Sequence, residues 1–221
     1  YGCGEYLCQR LATLYAKLSD VEGVISSYTR LYDEQKNDII GKKLVDLYLL
    51  QKDYDRLGLF LEKSHIDDEM LFSIYKRQKA YLKAAKLALI IYQKSGDVRY
   101  AAQNAMLMFE FGNQKNPKLI DETITKLSRV VEQQRDALYL NYLGYILIDY
   151  DRDINRGIQL VKEALKIAPE NLSYLDSLAW GYYKTKQYKA AYEIITKLKS
   201  YIEKDGVLKT HYETIVKAYK K

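Results

Sequence analysis

The chain has 221 residues, 48% hydrophobic and 29% charged, a balance that supplies a buried core and excludes intrinsic disorder as the default. Its formal charge of +6 and pI near 9.0 would fit an acidic partner or nucleic acid. The lysines stand beside acids, however, as in Glu62-Lys63, Lys162-Glu163 and Glu203-Lys204-Asp205, so a mildly basic solvated surface is the better reading.

From the start, the chain opens on Tyr1 with no basic leader before an apolar core, so any targeting segment is expected to lie outside this sequence. Periplasm, cell envelope and cytoplasm all stay open as locations. Cys3 and Cys8 are the two cysteines, and free thiols are the expectation, ahead of a disulfide or a lipidated Cys3. Apolar periodicity then predicts helix pairs at 5–18 with 21–34, 38–51 with 54–64, and 67–78 with 81–94. Ser95-Gly96-Asp97 ends one helix and caps the next. A further pair, 97–111 with 117–133, is joined by the loop-like stretch from Gly112 to Pro117. No apolar run approaches the roughly 20 residues that cross a bilayer, the longest candidate being Leu87 to Ile91.

Three stretches repeat one motif, a tyrosine followed six residues later by another: Tyr48 and Tyr54, Tyr75 and Tyr81, Tyr182 and Tyr188. A short Lys- and Gln-rich segment separates each pair, which reads as helix, tight turn, helix. Beyond Ala137 the repetition is clearest. Asn141-Tyr142-Leu143-Gly144-Tyr145 leads to Gly157, Ala164 and Pro169, and the next unit carries Leu175, Leu178-Ala179, Tyr182, Ala191, Ile195 and Leu198. Gly157 to Ala191 and Ala164 to Leu198 are each one repeat length apart. Gly144, Gly157, Ala179 and Ala191 lack bulk where paired helices would cross, and Leu175, Leu178 and Tyr182 share one helical stripe that fills the crossing.

This pattern resembles the tetratricopeptide repeat, with Leu140 and Leu175 where the family places tryptophan and a turn between Gly144 and Gly157 one residue longer than the family pattern. The resemblance implies an all-α, right-handed superhelical solenoid of antiparallel helix pairs, about 12–13 helices in all. It reads 1–221 as one array: divergent repeats over 1–136, two well-formed units over 137–205, and a capping helix over 206–221. It also implies a concave groove lined by first helices, at Asn141, Tyr145 and Ile148 of one unit and Asp176, Trp180 and Tyr183 of the next. Trp180, the single tryptophan, is the favoured contact, with burial under the final helix as its structural alternative. The two-carboxylate clamp of some relatives is not assembled, since Lys42, Asp46 and Met70 stand at the corresponding positions. The paired repeats look like those of bacterial proteins, often envelope-associated ones.

Catalytic motifs are lacking. His65 and His211 are the two histidines, outside any HExxH or Cys/His spacing, and no GxSxG, GxGxxG or phosphate-loop run occurs. Asp149, Asp151, Asp153 and Asn155 alternate like half a calcium loop, but Ile154 and Leu160 stand where glycine and the bidentate acid belong; a turn whose acids cap the next helix is the expectation. The function expected is therefore a non-catalytic scaffold or adaptor that binds a protein or peptide, with no cofactor and no metal. The alternatives are an RNA-binding helical repeat, disfavoured because Tyr145, Ile148 and Trp180 make a poor base code, or the non-catalytic arm of a larger enzyme or envelope assembly.

Overall fold

A computed structural model describes residues 4–221. Among the described residues it is built of thirteen α-helices and one 3-10 segment, with no strand. They group into two compact units, Tyr1–Leu87 and Ala88–Lys221, with the division inside the sixth helix.

The first unit holds α1 (Glu5–Lys17), α2 (Val21–Gln35), α3 (Asp38–Leu50), α4 (Tyr54–Ser64), α5 (Asp68–Arg77) and the start of α6 (Tyr81–Ser95). Successive helices from α1 to α5 pack against one another across short connections, the arrangement that two- to five-residue links impose on antiparallel neighbours. Leu31, Leu44, Leu57 and Leu61 are fully buried. Gly41 lets Ile66 and Tyr32 approach where a Cβ would collide with both. Cys8 is fully buried and disulfide-bonded, which corrects the expectation of a free thiol there; Cys3 lies outside the described residues. Five residues of spacing do not discriminate between the two states.

The second unit holds the rest of α6, then α7 (Val98–Glu110), α8 (Pro117–Gln133), α9 (Ala137–Asp149), α10 (Ile154–Ile167), α11 (Leu172–Lys184), α12 (Tyr188–Ile195), a 3-10 segment (Thr196–Lys204) and α13 (Gly206–Tyr219). Helix α9 is apolar on nearly every face and sits among α8, α10 and α11, as an all-round hydrophobic helix must. Gly144 and Gly157 face each other at the α9–α10 crossing. A Cβ on Gly144 would lie 2.7 Å from Val161 Cγ2 and 2.8 Å from the Gly157 carbonyl oxygen, and one on Gly157 would lie 2.7 Å from the Gly144 carbonyl. Ala179, Ala191, Ile195 and Leu198 are buried together one repeat further on.

Ten of the helix starts share one chemistry. Asp20, Asn37, Asp53, Asp67, Asp97, Asn116, Asp136, Asp153, Asn171 and Asp205 each precede a helix and accept a hydrogen bond from its first-turn N–H groups. These side chains satisfy donors that the helix itself leaves open.

The paired tyrosines also have a backbone explanation. The carbonyls of Tyr48, Tyr75 and Tyr182 accept from the N–H groups of Asp53, Ala80 and Gln187 at 2.8–2.9 Å, and Tyr54, Tyr81 and Tyr188 are the first residues of the next helices. Each turn is closed by one residue in the left-handed region: Lys52, Lys79 and Lys186, with Ser19 and Asp151 in the equivalent turns after α1 and α9. This is the six-to-one closure of a Schellman motif, reached here without glycine. The turn after α9 carries the extra residue expected, and Arg152 and Asp153 both donate to the Leu147 carbonyl. Pro169 follows Ala168, which has left the helical region at φ −134°, ψ 79°.

Candidate binding cleft

Helices α9 and α11 open the two helix pairs that follow Ala137 and pack side by side, and α13 folds back onto α11. Between them lies a cleft of about 430 Å³, within the range of about 300–1,000 Å³ typical of ligand sites. Asn141, Tyr142 and Tyr145 come from α9 and Ser173, Asp176 and Ser177 from α11, with Tyr201, Asp205, Val207 and Leu208 closing the far side. The 3-10 winding of 196–204 advances about 2.0 Å per residue instead of 1.5 Å and shortens α12 to eight residues.

Several polar groups of the lining are already engaged by the protein. Burial raises the hydroxyl pKa of both Tyr142 and Tyr145 well above the ordinary tyrosine value, with Glu110 and Asp149 adding to the effect. Both rings therefore stay neutral donors, and both donate away from the cleft, Tyr142 to Glu110 Oε1 at 3.1 Å and Tyr145 to Asp149 Oδ2 at 3.3 Å. Ser177 Oγ donates to the Ser173 carbonyl. His211 Nδ1 lies 2.9 and 3.0 Å from the two Asp176 oxygens, so it carries the proton of that bond. Asp205 Oδ1 accepts from the α13 backbone. Asn141 is 8% exposed, and its Oδ1 is buried with no hydrogen-bond partner.

The six residues expected to line a groove thus divide. Asn141, Tyr145 and Asp176 share the cleft. Trp180 and Tyr183 stand beside it in an aromatic stack: the Trp180 ring lies 4.1 Å from His211 and 4.9 Å from Tyr183, nearly parallel to both. The Trp180 Nε1–H donates to Asp149 Oδ1 at 2.9 Å, so this side chain ties α11 to α9 and α13. Ile148 corrects the expectation outright. It is fully buried and packs into the space left by Gly157 and Gly181, because α9 is enclosed on the side where Ile148 projects.

His211, Tyr201 and Leu208 were not anticipated. His211 falls on a stripe with Leu208 and Ile215 at helical spacing, all three buried, and a lone polar residue on such a stripe is a signal for a buried partner. That the partner is Asp176, 35 residues earlier, is not readable from the spacing.

The acids of the 149–155 segment have other roles than calcium. Asp153 caps α10, Asp151 pairs with Lys184 at 2.8 Å, and Asp149 accepts from Trp180 and Tyr145. Among the described residues no three His, Cys, Asp or Glu side chains gather as a metal site. No helix among them is long and apolar enough to cross a membrane.

No protein-family model matches the sequence, and no curated protein is similar to it. Solved structures do resemble it. A tetratricopeptide repeat protein from Parabacteroides merdae ATCC 43184 superposes with a TM-score of 0.53 at 10% identity, over 96% of this chain and 90% of that one. YrrB, described as a TPR protein with an unusual peptide-binding site, gives a TM-score of 0.51 at 16% identity, over 74% and 86% respectively. The fold is the tetratricopeptide-repeat fold. Identities this low speak for the fold alone, and the tetratricopeptide pattern read beyond Ala137 coincides with α9–α10 and α11–α12.

Proposed function

We propose that this chain is a non-catalytic protein-interaction module that holds a peptide segment of a partner protein in the cleft between α9, α11 and α13. The observation that carries the reading is the cleft itself, about 430 Å³ and lined by first-helix side chains that packing leaves over. Aromatic rings at its wall supply contact area at small entropic cost. The likeness of fold to YrrB, whose description includes a peptide-binding site, supports the same reading. A catalytic reading has little to work with, because His211 is 4% exposed, bonded to Asp176 and stacked on Trp180.

The test is selection of displayed random peptides on the immobilised full chain, followed by affinity measurement on wild type and Ser173→Trp. Ser173 is exposed at the mouth of the cleft, so the indole occludes it without entering the core. Selected peptides are expected to bind Ser173→Trp about tenfold or more weakly, with helicity unchanged. Equal binding to both proteins would place the site elsewhere.

A further inference from the structure

The net charge of the chain is not spread along it. Residues 1–183 hold basic and acidic side chains in equal number, and residues 184–221 hold ten lysines, no arginine and four acids, so the whole +6 resides there. Few of these lysines are spent on the protein's own acids: Lys184 pairs with Asp151 and Lys209 with Glu203. Lys186, Lys189, Lys220 and Lys221 are exposed, and their ammonium groups have no hydrogen-bond or ion-pair partner among the described residues. These four gather at one place. The Tyr219 ring at the end of α13 stacks on Tyr192 of α12 at 4.2 Å, which sets the end of α13 against α12. An open depression of about 660 Å³ lies there, with Lys186, Tyr188, Lys189 and Tyr219 in its lining and Glu193 as the one acid among them. Lys220 and Lys221 follow directly on Tyr219. Folding accounts for lysines at the end of α13, where the helix dipole favours a cation, but not for Lys186 and Lys189 at the start of α12, where it opposes one.

We infer that this basic depression is a second docking surface, separate from the cleft, for an Asp- and Glu-rich segment of a partner protein. Each ammonium brings three donors and no acceptor, and its bonds to carboxylates are of the stronger, charge-assisted kind. The Tyr188 and Tyr219 hydroxyls add donors without a partner among the described residues. The composition selects among anions. Arginine is the side chain whose planar fork matches a phosphate, and lysine acts as a hydrated point charge; every basic side chain after Arg156 is lysine, which favours carboxylates over nucleic acid. Attachment to an anionic bilayer gains from apolar side chains that enter the headgroup layer. Of the large apolar side chains exposed in 184–221, Tyr201 and Val207 border the cleft and Tyr219 alone lies at this depression.

The experiment is fluorescence anisotropy on the full chain with a labelled peptide of alternating Glu and Ser, a labelled single-stranded oligonucleotide of equal charge, and co-sedimentation with phosphatidylserine vesicles. The peptide is expected to bind more tightly than either alternative and to weaken about tenfold as salt rises to about 0.5 M. Lys186→Gln, Lys189→Gln and Lys220→Gln combined should weaken it about tenfold or more. The same loss of charge at Lys42, Lys63 and Lys115, which are also exposed, should change it less than about twofold, and Ser173→Trp should leave it unchanged. Equal weakening by both triple variants, tighter binding of the oligonucleotide or the vesicles, or no saturable binding of the peptide would each overturn the inference. Loss of the Glu-Ser peptide in Ser173→Trp would overturn it as well, by placing acidic ligands in the cleft, whereas displayed peptides that bind wild type and Ser173→Trp alike contradict the cleft and leave this surface standing.

Discussion

Asn141 is a residue that folding alone would not choose. A buried polar atom without a partner costs about 1–3 kcal/mol relative to a satisfied or apolar replacement, and Asn141 Oδ1 is such an atom. Asn141→Leu is therefore expected to raise the melting temperature, by a few degrees for a unit of this size, as thermal unfolding followed by circular dichroism would show. A lower melting temperature would show that the carboxamide is structurally useful. Trp180 runs the opposite way: its ring stack and its bond to Asp149 make it a structural joint that ties α11 to α9 and α13.

Among the elements, the α9–α10 crossing leaves no room at Gly144. Gly144→Ala forces a Cβ against the Gly157 carbonyl and Val161, and overpacking of this kind costs about 1–3 kcal/mol. A lower midpoint in urea, at unchanged slope, is the expected result. In the first unit, Glu62 joins α4 to α5 and α6, accepting from Tyr75 at 2.6 Å and from Lys83 at 3.0 Å. The Tyr75 bond foremost, then Lys83, holds the Glu62 carboxyl below its ordinary value of 4.5. A depressed folded value means that the contribution is complete above the ordinary value and disappears as pH falls through the depressed one. Glu62→Gln should then be less stable than wild type at neutral pH, with the difference shrinking as pH falls below the ordinary carboxyl value, as denaturant melts over a series of pH values would show. Helix bounds were legible because Asp and Asn caps and the spaced tyrosines are local signals that act within one turn of chain. The short α12, the 3-10 segment after it and the seating of His211 on Asp176 depend on contacts some 35 residues apart, which no local pattern encodes. Ile148 was misplaced for the same reason: groove and core positions differ by one helical step, and enclosure of α9 decides between them.

For the whole molecule, charge and site have opposite signs. The chain carries +6 overall, yet none of the residues that line the cleft is Lys or Arg. Of the site, the three residues shared with the cleft were legible from the repeat register, and its character was not, because character depends on which hydroxyls donate inward and which outward. The left-handed residues that close the inter-helix turns bear on a different property, the distance between this chain and its own stability ceiling. Lys52, Lys79 and Lys186 are exposed and adopt φ between 56° and 62°, where a side chain is strained and glycine is not. Glycine also loses more freedom on folding, so the net gain is expected to be on the order of 0.5 kcal/mol per site. Lys52→Gly, Lys79→Gly and Lys186→Gly should each shift the denaturation midpoint upward, and the two within the first unit should add. The same turn, built five times without the residue best suited to it, leaves a reserve from which substitutions harmful elsewhere in the repeats can be offset.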